Sequence, residues 1–334
     1  MEDVAVLGLS MPGCMGRDRR RVSAASRSSV LFQPIVRLSV LLRFGLFLLV
    51  FGWGEWPGGS WAGAVSAVGD GRSASESTWS RLIVEADRLY LPTKFLKRMP
   101  ADFIRFEFDD LRTYAAEYHP DDHRMVLNRS LSFNAAGAVL KPLRAMTHQE
   151  LQVLYHELFH AYMDYLTTLE EQGGEAGGTP ELLRFARRQQ ACRYGAATIV
   201  PLAQRPHETE VRYLTEPESW EALNETWAVF IGWAIWTQLE IQGKHHGRTE
   251  RQKEQWAERL KTAFSHGEFR GYYVPQDAEE RRVAQKRFLG KPSQLSWGEV
   301  EVLMAQVLDF SEELVKWLKR SQKVWSDGET PASC

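Results

Sequence analysis

The segment THQELQVLYHELFHAYMDYL, residues 147–166, limits what this chain can fold into more than any other stretch. Thr147 and Glu150 stand at the T-x-x-E spacing of a capping box, and Leu151, Leu154, Tyr155, Leu158, Phe159 and Tyr162 recur at helical intervals. On that helix His156 and His160 project from one face in consecutive turns, with Glu157 about 100° further round. Two imidazoles so placed can converge on a single ion, and the neighbouring carboxylate can reach a water bound to it. A metal held there needs a further ligand from elsewhere in the chain.

A chain of 334 residues that is 44% hydrophobic can bury a full core in one large domain or two small ones. Its formal charge of -2 gives no overall basic field, which argues against a nucleic-acid binder. The function is expected to reside in a site.

Residues 1–67 read differently from the rest. Arg17, Arg19, Arg20, Arg21 and Arg27 precede the apolar run FGLFLLVFGW at 44–53, and small residues follow, with Val65 and Ala67 suited to a signal-peptidase site. A cleaved signal peptide is the favoured reading. The alternative is an uncleaved membrane anchor through residues 35–53. Both place the domain at 68–334 outside the cytoplasm, secreted or periplasmic. Three cysteines are too few for a disulfide framework; Cys14 would leave with the signal, and Cys192 and Cys334 are expected to be unrelated thiols rather than a pair.

Within 68–334 the order is sheet, then helices. A helix is expected at 77–90 and strands at 103–108, 113–118 and 123–133, the last taken as an edge or near-edge strand. This sheet-bearing part, 68–145, precedes a helical part, 146–334, with helices at 148–168, 180–195, 216–241, 249–264 and 297–323. The fold class is thus α+β, a small mixed sheet followed by a mostly helical portion. HPDDH at 119–123 and KHHG at 244–247 read as turns carrying solvated charge. The Trp-rich stretch 226–239 is too short to span a bilayer and reads as a core helix.

HELFH matches HExxH, so a third ligand is needed to complete a catalytic metal site. The metzincin continuation is absent, because Met163 and Leu166 stand where glycine and histidine belong. A deformylase-type cysteine motif is absent as well. Three glutamates in TEPESWEALNETWAVFIGWAIW remain. Glu218 follows Thr215 and Pro217 and suits a cap, and Glu221 lies in polar first turns. Glu225 sits where the helix becomes apolar on nearly every side, a costly place for a carboxylate without a cation. It is the favoured ligand, with Glu221 second.

HELFHAYMDY and the NET at 224–226 resemble the zinc helices of the gluzincin metallopeptidases of the thermolysin-like kind. The resemblance covers two short helices. It implies a zincin-like fold, Zn2+ held by His156, His160 and Glu225, Glu157 as general base, RMVLN in the place of the substrate-binding edge strand, and a peptide or protein substrate. Val229 stands where the family often has an aspartate, and the interval from His160 to Glu225 is longer than in thermolysin itself, nearer to the spacing of other gluzincin groups. The expected chemistry is hydrolysis of a peptide bond by a zinc-activated water. Tyr272, Tyr273 and His266 lie downstream as candidate oxyanion donors, and none stands out. The rival reading is a non-catalytic envelope protein that keeps the fold as a binding module or scaffold; retention of Glu157 favours the enzyme.

Overall fold

The computed structural model describes residues 71–111, 115–133, 139–173, 179–199, 210–242, 250–283, 286–289 and 295–322. The signal and anchor segment, KHHG, Cys14 and Cys334 lie outside them. The described part is mixed α+β, dominated by helices.

Helix α1 (Gly71–Arg88) buries Trp79, Leu82 and Ala86 and leads into a sheet of β1 (Arg105–Asp109), β2 (Ala116–His119) and β3 (Arg124–Asn128). The strand order is β1-β3-β2, with β3 parallel to β1 and antiparallel to β2. The strand RMVLN is therefore central, not the edge that was expected. Its three consecutive buried residues, Met125, Val126 and Leu127, fit a strand flanked on both sides. The edges among the described strands are β1 and the short, polar β2.

Helix α2 (His148–Gln172) opens with both halves of the capping box: Glu150 N–H donates to Thr147 Oγ1 at 3.2 Å, and Thr147 N–H donates to Glu150 Oε2 at 2.7 Å. Its apolar stripe, from Leu151 to Leu166, is buried. Helix α3 (Glu181–Arg193) follows, then a hairpin of β4 (Ala196–Ile199) and β5 (Glu210–Tyr213), which the sequence did not announce. Cys192 is disulfide-bonded, contrary to the expectation of an unpaired thiol.

Helix α4 (Glu216–Gln242) is buried almost all round and packs on α2 more extensively than any other described pair of elements. Gly232 permits that approach: a Cβ there would stand 3.0 Å from both Cγ and the carbonyl oxygen of Gln152. No described helix is long and apolar enough to cross a membrane.

Helix α5 (Glu250–His266) leads to β6 (Tyr272–Tyr273), helix α6 (Ala278–Val283) and β7 (Arg287–Phe288), which pairs antiparallel with β6. The single helix expected at 297–323 is two, α7 (Trp297–Gln306) and α8 (Glu312–Gln322). Between them Asp309 adopts a left-handed conformation, φ 56°, and its carboxylate accepts from Lys94 N–H at 3.1 Å. Glu299 of α7 is fully buried and accepts from Tyr194 Oη at 2.9 Å and Trp227 Nε1 at 2.8 Å, fastening α7 to α4 and to the end of α3.

Candidate metal centre

His156 and His160 come from α2 and Glu225 from α4, and the packing of those helices turns all three toward one point. The two histidine Nε2 atoms are 3.1 Å apart. Glu225 approaches His160 Nε2 with Oε1 at 3.3 Å and His156 Nε2 with Oε2 at 3.5 Å. Donors about 2.0–2.1 Å from a tetrahedral ion stand roughly 3.3 Å from one another, so the three separations fit a common cation.

The charge state of Glu225 points the same way. Burial works against ionisation, yet the imidazoles of His160 and His156 outweigh it and hold the carboxyl well below the ordinary range. Its Oε2 is buried without a hydrogen-bond partner, since 3.5 Å to His156 is too long for a good bond. A buried carboxylate oxygen left unpaired is costly unless a cation meets it. The His-His-Glu group can hold a metal ion.

Glu157 lies beside the group without joining it, its Oε1 3.9 Å from His156 Nε2. Its Oε2 accepts from the backbone N–H of Tyr118 on β2 at 3.0 Å. Burial pushes its carboxyl up to about 7; His156 and the Tyr118 N–H oppose that rise, and Glu225 adds to it.

The other two glutamates of α4 do different work. Glu218 caps the helix, accepting from Thr215 N–H at 2.8 Å, and also takes Gln276 N–H at 3.0 Å. Glu221 faces the cleft, but its Oε2 accepts from Val274 N–H at 2.9 Å, and burial raises its carboxyl. Together they bind the chain leaving β6 along the first turns of α4.

Strand β6 itself carries Tyr272 into the cleft, a cavity of about 680 Å³ that also takes in His156, Glu157, His160 and Glu225. Lys286 donates to the Tyr272 hydroxyl at 3.1 Å, and its ammonium lies 4.1 Å from the ring centroid. Burial and then Glu225 raise the phenol, which keeps it a proton donor. Tyr273 turns into the core instead, and His266 is exposed beside Glu268. Of the three downstream donors, only Tyr272 meets the metal group. The short separation of Tyr272 from Gly271 was a readable hint, because a glycine lets a strand approach a helix closely.

Sequence reasoning gave Tyr118 no role and took Asp164 only as part of the stretch that resembles a zinc helix, without its partners. The HPDDH turn is a 3₁₀ turn at Pro120–Asp122 whose aspartates are exposed, as expected. His123 departs from that reading, because its Nδ1 lies 2.8 Å from Asp164 Oδ2 on α2. Val229 leaves the position one turn after Glu225 without a carboxylate. Comparison of the chain with protein-family models, curated proteins and solved structures finds no match.

Proposed function

We propose that this chain is an exported zinc peptidase of gluzincin type, with a zincin-like arrangement of its edge strand and two metal-bearing helices. The observation that carries the reading is the His156–His160–Glu225 group with Glu157 alongside but outside it: a purely structural site has no use for a second carboxylate that is not a ligand. Two imidazoles and one carboxylate suit zinc better than the harder cations, which prefer all-oxygen shells. Bound there, zinc supplies a Lewis acid that polarises a carbonyl and acidifies a water.

The remaining steps belong to the chain's own groups. Glu157, oriented by the Tyr118 N–H, takes a proton from the attacking water and returns it to the leaving amine. The Tyr272 phenol donates toward the oxygen on which charge develops, and the Lys286 ammonium at its hydroxyl strengthens that donor. Along β2, Ala115 turns its carbonyl to Asn128 of β3, so by alternation Ala116 and Tyr118 direct their backbone groups outward, into the cleft. An extended peptide can pair with that edge, its scissile bond beside Glu157.

The test is metal content by elemental analysis together with cleavage of a peptide library, before and after chelation. Stoichiometric zinc and chelator-sensitive cleavage are expected. Zinc without cleavage of any peptide or unfolded protein would transfer the fold to a scaffold or binding role.

A further inference from the structure

We propose that Asp164 and Tyr118 are positioning residues that set the angle of the edge strand across the metal-bearing helix and thereby hold Glu157 in place. Asp164 follows His160 by one turn on α2, on the same face. Its Oδ2 accepts from the Tyr118 hydroxyl at 2.6 Å and meets His123 Nδ1 at 2.8 Å. The same Tyr118 donates its backbone N–H to Glu157 at 3.0 Å. One strand residue thus grips the helix twice, at Glu157 and at Asp164, two turns or roughly 10 Å apart along the axis. A single contact fixes a distance; two contacts that far apart fix an angle.

The far end of the strand is secured by the same carboxylate. His123 occupies a left-handed conformation, φ 51°, where a residue other than glycine is uncommon, and Asp164 holds it there. Its ring packs on Phe103 with centroids 4.3 Å apart, and Phe103 meets Tyr165 edge-on at 5.1 Å. The turn joining β2 to β3 is therefore fastened to α2 by His123, and β2 itself by Tyr118. Because Ala116 and Tyr118 present the outward backbone groups of this strand, its angle also decides where an extended chain would lie relative to Glu157.

The functional half of this inference rests on the peptidase reading, and the structural half does not, so the test separates them. Amide-resolved hydrogen exchange is followed on the full chain loaded with zinc. In wild type the Tyr118 amide should be protected, and Glu157→Ala, which removes its acceptor, should set the unprotected rate. Tyr118→Phe and Asp164→Ala should each speed exchange at residue 118 by tenfold or more, while exchange within residues 151–163 and zinc content stay unchanged. Should Asp164→Ala fail to fold, Tyr118→Phe, which loses one oxygen atom, carries the test. Wild-type protection of the Tyr118 amide in Tyr118→Phe, or protection that survives Glu157→Ala, overturns the proposal whether or not the protein cuts peptides. If it does cut them, Tyr118→Phe should lower kcat and raise KM together with zinc retained. A loss of zinc or of thermal stability in place of that change would mark the network as merely structural.

Discussion

Gly271 lies so close to α4 that a Cβ on it would stand 2.6 Å from the backbone nitrogen of Thr226, the residue after Glu225. The obstacle is main chain, which no rotamer change relieves. Gly271→Ala should therefore push β6 off the helix, cost about 1–3 kcal/mol in urea denaturation and withdraw Tyr272 from the cleft, with zinc still bound. A variant as stable as wild type would show that β6 is not pinned there.

Metal affinity should separate Glu225 from Glu221 by geometry. His160→Ala should lose zinc, and Glu225→Ala should weaken binding by far more than Glu221→Ala, whose carboxylate is committed to Val274 N–H. Calorimetric titration of the apoprotein decides this; the reverse ranking would move the ligand one turn along α4.

Glu157→Gln keeps the size of the side chain and an acceptor for Tyr118 N–H but cannot take a proton. Zinc content and fold should survive, and turnover should fall about 10²-fold or more. Full turnover in the variant would remove Glu157 as base.

Glu299 is buried, with Tyr194 and Trp227 donating to it and Arg193 Nε at 3.3 Å. Glu299→Ala removes the buried acceptor that these three groups share and should destabilise the protein by about 3 kcal/mol or more. A loss below about 1 kcal/mol in chemical denaturation would mean that this junction of α3, α4 and α7 matters little.

Glu218 gives a pH-dependent counterpart. Burial opposes its ionisation, but the Thr215 and Gln276 N–H groups prevail and lower its carboxyl below the ordinary 4.5. A group depressed on folding contributes stability that is present above its unfolded value and is lost as pH falls through the folded one. The stability difference between apo wild type and Glu218→Gln should accordingly be largest near neutrality and shrink as pH falls below about 4.5. A difference that does not vary from pH 6 to pH 3 would contradict the assignment.

Local signals were the readable ones. The box at Thr147 and Glu150, the face shared by His156 and His160, and the contrast between Glu218 in a cap and Glu225 among apolar neighbours are written within a few residues each. What escaped depends on distant partners. The strand expected at or near the edge, β3, is central, although the unbroken apolar run at 125–127 was a usable mark of that. The break between α7 and α8 has neither glycine nor proline; Asp309 is held by Lys94 from the other end of the fold. Tyr118 and Asp164 looked ordinary because their value lies in each other.

The donors of the metal group are divided between α2 and α4, which are far apart along the chain, and this has a kinetic meaning. Each helix can form on its own, but the three-donor set exists only after the two have docked. Uptake of a coloured ion such as Co2+ during refolding would therefore clock that docking event separately from helix formation, which far-ultraviolet dichroism reports. The centre would serve as a built-in stopwatch for the long-range step of folding.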